Sequence, residues 1–309
     1  MIGTMADSCE YLVTGAGGGI GSVSRSVTEL LIQDGASVRA MVRREDARAD
    51  ALRALGAQVV VGDLTVPEDV VSAMRGARRM FFNMSVSLDY LNATAIVCAA
   101  GRDNPGLETL VNMSQMTVSE MTLTSRAESN QHRLHWLAEH ILDWSGLPVT
   151  HVRPTVFLDN PLFTFLNAES VRDRHTLVLP FGEGKTSPVA PIDVARVVAT
   201  LLTTAHDRHE HVYELTGPEV LDVSGLAQSY SRALQHEVTG VDIPYDDWLE
   251  HVLKPVGLPQ HVEQHIATMA RLHRAGRYDR LTDEVERLTG QSALTVDRYI
   301  AKHPERFGG

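Results

Sequence analysis

The chain has 309 residues, 43% of them hydrophobic and 22% charged, enough for one large α/β domain with an appended smaller lobe around a buried core. Its formal net charge of −11 argues against a nucleic-acid partner, and no apolar run is long enough to span a bilayer. Cys9 and Cys98 fall in no metal or redox spacing, and no charged-then-apolar signal segment is read, so a soluble protein of the reducing cytoplasm is expected.

Residues before Glu10 read as a short, loose leader. The first strand is predicted at 11–13, followed by a glycine loop and a helix from about 22 to 33, stopped by Asp34-Gly35. Strands follow at 37–42, 58–61 and 79–83. Between them lie helical stretches at 44–55 and 67–74, the second with proline in its first turn. A helix near 88–100 leads to a strand at 108–112, and a strong helix at 132–144 leads through Ser145-Gly146 to a strand at 148–152. Short apolar runs alternating with amphipathic stretches are the mark of βαβ units and a parallel sheet. Past Arg153-Pro154 the rhythm loosens into loops at 180–184 and 188–191, a helix at 192–203 and a strand at 211–215, and helices dominate from Ser224. The fold class read from this pattern is α/β. A Rossmann-type doubly wound parallel sheet is expected over 1–154. A smaller, mainly helical C-terminal substrate lobe is expected over 155–309, with 188–217 returning to the sheet.

Gly15, Gly18 and Gly21 are spaced G-x-x-G-x-x-G between the first strand and the first helix. Glycine there permits a tight turn, close approach of backbone to a pyrophosphate and close packing of helix on sheet, while the helix N-terminus offers free N–H groups to the phosphates. Gly15, Gly18, Gly19, Ile20 and Gly21 are therefore expected to bind a dinucleotide. The second strand ends in Arg43-Arg44 rather than a carboxylate, with Glu45-Asp46 assigned to the next helix. Arginine suits the 2′-phosphate of NADP(H), so NADP(H) is expected in preference to NAD(H). Asp63 and Leu64, directly after the third strand, are placed to reach the adenine edge. Asn83, Met84 and Ser85, after the fourth, are placed to line the ribose and nicotinamide side.

The run Thr14 to Gly21, the strand Val38 to Arg43, Gly62-Asp63-Leu64 and Ser145-Gly-Leu-Pro-Val-Thr-His-Val-Arg-Pro154 together resemble the atypical short-chain dehydrogenases/reductases. Within them the chain is similar to the NmrA-like group, quinone reductases included, and the resemblance extends to the closing helices from Glu284 to Phe307. The resemblance implies a monomer or homodimer that binds NADP(H), with a substrate cleft between the sheet and the C-terminal lobe. It also exposes a departure. The wider superfamily relies on Tyr-x-x-x-Lys for proton transfer and ribose binding, and no tyrosine of this chain has a lysine four residues later. By the superfamily's spacing on the helix before Gly-Leu-Pro, His135 takes the lysine's place and Gln131 the tyrosine's. Ser114, at the end of the fifth strand, falls at or near the superfamily's serine. His135, Gln131 and Ser114 are the catalytic candidates, with His135 and Pro154 also beside the cofactor. Phe157, Asn160, Phe163 and Phe181 are candidate substrate contacts.

No metal is expected. His132, His135 and Glu139 share a helical face but lack the His-Glu-x-x-His order, and the polar link from His206 to His211 reads as a solvated loop. No Gly-x-Ser-x-Gly elbow supports a serine hydrolase. The leading expectation is a reductase of a small quinone, enone or related carbonyl compound, acting by hydride transfer. A non-catalytic NADP(H)-sensing regulator with a protein partner is the alternative, and an isomerase or lyase using the bound nucleotide a further one.

Overall fold

The computed structural model describes residues 9–18, 23–208 and 210–309. The strands are β1 (Tyr11–Val13), β2 (Val38–Val42), β3 (Gln58–Val61), β4 (Arg79–Phe82), β5 (Thr109–Met113), β6 (Val149–Pro154), β7 (Thr176–Leu179), β8 (Val212–Leu215) and β9 (Thr239–Asp242). The first helices are α1 (Val23–Gln33), α2 (Ala47–Ala54), α3 (Pro67–Met74), α4 (Tyr90–Arg102), α5 (Asn130–Trp144), α6 (Phe165–Arg174) and α7 (Pro191–Thr203). They are followed by α8 (Val223–Leu234), α9 (Tyr245–Trp248), α10 (Gln260–Arg274), α11 (Glu284–Thr289) and α12 (Val296–Lys302). No helix among the described residues is long and apolar enough to cross a membrane.

Seven strands form one parallel sheet in the order β3-β2-β1-β4-β5-β6-β8, the Rossmann arrangement expected from the alternation of elements. The order reverses at β1, whose neighbours are β2 on one side and β4 on the other. The inner strands β1, β2 and β5 are buried at every position, as strands covered by helices on both faces must be. The helices meet them with single apolar stripes: Val23, Val27 and Leu31 on α1, and Leu134, Ala138 and Leu142 on α5. At this spacing each pair lies one turn apart, and burial of a Val or Leu side chain contributes about 1.5–3 kcal/mol.

The chain divides into two compact units. One comprises the residues up to Ser114, Leu134–Val152 and Ala195–Tyr213. The other comprises Gln115–Arg133, Arg153–Val194 and Glu214–Gly309. Helix α5 and strands β6 and β8 each run from one unit into the other. The second unit has its own core, built on Trp248, Phe163, Phe181, Tyr230 and Phe307. At its centre the His273 ring stacks on Phe181 and on Tyr278, with centroids 4.1 and 3.8 Å away. Burial pushes the His273 pKa down to about 3, so it packs as a neutral aromatic ring.

Two features depart from the sequence reading. The second half is not simply helical beyond the main sheet, because β7 and β9 pair in parallel as a separate two-stranded sheet, with α6 ahead of them. Glu45-Asp46 is not inside α2: Asp46 is its N-cap, accepting the Arg48 N–H at 2.9 Å, and the helix begins at Ala47.

Arg39 is 3% exposed on β2, in a strand otherwise apolar apart from this one side chain. Its guanidinium donates to the carbonyls of Ala73 at 2.7 Å and Arg75 at 2.8 Å, and to Gln58 Oε1 at 2.9 Å. The carbonyls at the end of α3 have no helical partner and carry the negative end of the helix dipole, so a buried cation is compensated there. Removing it strands those acceptors. Arg39→Ala is expected to lower unfolding stability by about 2–3 kcal/mol, read as a shift of the urea midpoint at unchanged slope.

Candidate functional site

The end of β1 is tied to the end of β4 before the glycine turn begins. Thr14 N–H donates to Phe81 O at 3.1 Å, and the Thr14 hydroxyl accepts Asn83 N–H at 2.9 Å. Gly15 then turns with φ +70°, and a Cβ on it would lie 2.7 Å from Asn83 O. Only glycine tolerates both the left-handed backbone and that approach. Asn83 Nδ2 in turn donates to Ser24 Oγ at 2.9 Å, which fixes the turn against the first turn of α1. Gly18 also has positive φ, +73°, but among the described residues no atom beyond its own and its chain neighbours' lies within 4 Å of where its Cβ would be. A bare, open flank in a turn that leads into a helix is what a pyrophosphate requires, so the residues present fit a dinucleotide. Gly19, Ile20 and Gly21 lie outside the described residues.

At the end of β2, beside this turn in the sheet, Arg43 and Arg44 are exposed, the Arg43 side chain to 75%. Arg43 Nε lies 3.3 Å from Asp63 Oδ2. Asp63 Oδ1 accepts the backbone N–H of Thr65 at 2.9 Å and its hydroxyl at 2.7 Å. Those bonds, with the Arg43 charge, hold the Asp63 carboxyl below the usual carboxylate range. Asp63 is thus a brace for Arg43 and for its own turn. The two acids after Arg44 are engaged elsewhere, Glu45 with Arg53 and Asp46 with Arg48. Leu64 and Met84 are partly buried and pack on the apolar core under α3 and α4, whereas Ser85 is exposed.

His135 is 6% exposed on α5, and its ring lies against Tyr90 with centroids 4.3 Å apart. Tyr90 is fully buried, and its hydroxyl donates to Met113 O at 3.2 Å, the residue before Ser114. Burial, with the charge of Glu139, drives the Tyr90 pKa far above its ordinary value, so this phenol stays protonated at neutral pH. Ser114 is 2% exposed, its N–H is spent on Val152 O, and its Oγ has no hydrogen-bond partner among the described residues. A buried hydroxyl in that condition suits a ligand oxygen.

Within the second unit, Gln131 is buried in the first turn of α5 and Pro154 closes β6, also buried. Phe163 and Phe181 are core side chains, 1% and 0% exposed, packed edge to face. Asn160 Oδ1 accepts Leu162 N–H at 3.0 Å inside its own turn while its Nδ2 donates to Met269 Sδ at 3.8 Å, and Phe157, which bridges to Val189, is half-buried.

A family model described as NAD(P)H-binding matches residues 15–205, which takes in the glycine turn, Arg43, Ser114 and His135. The chain belongs to the NAD(P)H-binding family. In fold it is similar to NmrA-like structures, in line with the resemblance its sequence carries. It is 26% identical over 293 residues to an NAD(P)H azoreductase of Xenophilus azovorans, covering 94% of this chain and 98% of the relative. It is 29% identical over 307 residues to the (4-alkanoyl-5-oxo-2,5-dihydrofuran-3-yl)methyl phosphate reductase of Streptomyces griseus subsp. griseus, covering 96% and 98%. The crystal structure of an NADPH-dependent quinone oxidoreductase from Escherichia coli, complexed with NADPH, shares the fold with a TM-score of 0.80 at 21% identity, over 95% of this chain and 99% of that one.

A second buried polar group contains His132, weighed in the sequence for a metal, together with Ser129 and His265, which the sequence reading did not single out. Ser129 Oγ sits between two imidazoles, 2.9 Å from His132 Nδ1 and 2.8 Å from His265 Nδ1, all in the second unit. Burial lowers the His265 pKa to about 4. The signal available in the sequence was the His132-x-x-His135 spacing, which puts two histidines near one face of α5.

The glycine turn generates a direct test. Gly15→Ala places a methyl against Asn83 O in a strained backbone, so affinity for NADPH in calorimetry is expected to fall about tenfold or more, while circular dichroism stays that of the folded chain.

Proposed function

We propose that this family member is an NADPH-dependent reductase of small conjugated, electron-poor acceptors, with quinones and enones as the first candidates. The observation that carries the cofactor choice is Arg43. It is an exposed guanidinium at the end of β2, braced by Asp63, with no unengaged carboxylate beside it to grip a ribose 2′-hydroxyl. In this reading the turn at Gly15 and Gly18 carries the pyrophosphate, Arg43 and Arg44 the 2′-phosphate, and His135 the nicotinamide ribose. When bound, the nicotinamide supplies a hydride.

The acceptor class follows from what the protein side lacks. No Tyr-x-x-x-Lys pair exists in the chain, and Tyr90, beside His135, is locked on a backbone carbonyl. A substrate that needed a strong acid at the moment of reduction would be poorly served. A quinone or enone accepts a hydride at carbon and spreads the charge over conjugated oxygen, so water or His135 can deliver the proton afterwards. Ser114 Oγ would donate a hydrogen bond to that oxygen, and holding donor and acceptor together does the rest. The named substrates of the two relatives support the class: an azo bond and an acyl-dihydrofuranone are both conjugated and electron-poor.

Oxidation of NADPH and NADH against a panel of quinones and enones, followed at the reduced-nicotinamide band, tests the proposal. Turnover is expected to favour NADPH. Arg43→Ala should raise the KM for NADPH about tenfold and leave that for NADH nearly unchanged, while Ser114→Ala should lower kcat about a hundredfold. Tight NADPH binding without turnover on any acceptor would instead support the sensing regulator.

A further inference from the structure

Three side chains from three separate elements of the first unit converge near the start of β6. Asp143 is the penultimate residue of α5, His151 is the third of β6, and His211 directly precedes β8. Asp143 Oδ1 lies 2.9 Å from His151 Nε2 and 3.0 Å from His211 Nε2, and the three ligand atoms all fall within 4.8 Å of one another. Strand pairing enforces the meeting, because His151 N–H donates to His211 O at 2.9 Å and so makes the two histidines neighbours across the β6–β8 ladder. Their rings sit edge to face, 5.0 Å apart.

We propose that Asp143, His151 and His211 bind a divalent transition ion of the zinc type, with a fourth position open to water. Two imidazoles and a carboxylate form a donor set such ions favour over magnesium or calcium. Metal–ligand bonds of about 2.0–2.1 Å in a tetrahedron put neighbouring ligand atoms about 3.3 Å apart, so the carboxylate–imidazole separations need only open by a few tenths of an ångström. The adjustment falls on His211, whose side chain is 58% exposed, while His151, at 1%, is fixed.

The surroundings of His151 fit that role. Behind it Asn112, itself 1% exposed, places Nδ2 2.9 Å from His151 Nδ1, and its Oδ1 has no hydrogen-bond partner among the described residues. In the ion-free arrangement the amide donates to Nδ1, and Nε2–H points at Asp143. A half-turn of the amide brings Oδ1 opposite Nδ1–H, gives that oxygen a partner and selects the tautomer whose Nε2 lone pair faces the ion. Burial alone would raise the Asp143 carboxyl, but the hydrogen bond from His151 helps to hold it below the usual carboxylate range. The bound ion would clip the last turn of α5 to the entry of β8, the edge strand of the seven-stranded sheet.

The test uses chelator-treated full-length protein, zinc chloride alone as probe, and two readouts, calorimetry and thermal unfolding. Near neutral pH, one equivalent of zinc is expected to bind and to raise the Tm. Magnesium at the same concentration should do neither. His211→Ala, a change at an exposed position, and Asp143→Asn should each weaken binding about tenfold or more, whereas His251→Ala, an exposed histidine of the other unit, should not. No zinc-dependent heat or Tm shift, an equal effect of magnesium, or undiminished binding in His211→Ala would each overturn the assignment.

Discussion

The nucleotide end of the sheet depends on how closely the chain leaving β1 passes the carbonyl of Asn83. Thr14 clamps the ends of β1 and β4 together, and the next residue must then turn where a single methyl would stand 2.7 Å from that oxygen. The sheet order makes this pinch consequential. β1 has β2 on one side and β4 on the other, so the turn that leaves it emerges where the order reverses, between Arg43 at the end of β2 and Asn83 after β4. Had the chain been free to bulge there, neither the bare flank at Gly18 nor the position of α1 would be defined. A steric restriction on one residue thereby fixes where the chain leaves β1 relative to Arg43 and Asn83.

Much of this was readable because the first unit obeys rules with strong local signals. The limits of α3 emerge as the proline and the apolar stripe predict, and the buried strands appear as short, mainly apolar runs. The elements that escaped share a physical cause. Helix α6 is capped by His175 and α8 by Gln235, both in the left-handed conformation with φ of 53° and 59°. A C-cap of that kind is usually glycine, and without it nothing marks where the helix stops and β7 or the lead to β9 begins. These strands are four residues each and pair with one another across 59 intervening residues.

The candidate site divides along the same line. Gly15, Gly18 and Arg43 carry their meaning in residue type and place in one βαβ unit. The part of Tyr90 does not: its hydroxyl reaches Met113, 23 residues on, and its ring meets His135 far later in the chain. Asp143, His151 and His211 become a group only once β6 and β8 are paired, and Ser129 joins His265 across 136 residues. Phe163 and Phe181 show the converse. Their position after the sixth strand suggested a ligand wall, but large apolar side chains are also what a second core needs, and the core took them.

The path of the chain through its two units has a consequence for modularity. The backbone passes from one to the other five times, after residues 114, 133, 152, 194 and 213, and twice it does so inside a strand of the main sheet. No single cut releases either unit whole, so neither can be exchanged between proteins as a cassette by joining two coding segments. During synthesis the first unit is incomplete until Tyr213 has left the ribosome, by which point 61 residues of its counterpart, about a fifth of the chain, already lie between its parts in the sequence. New specificities in such an architecture arise by substitution and loop growth within an unbroken chain, and seldom by recombination of finished pieces.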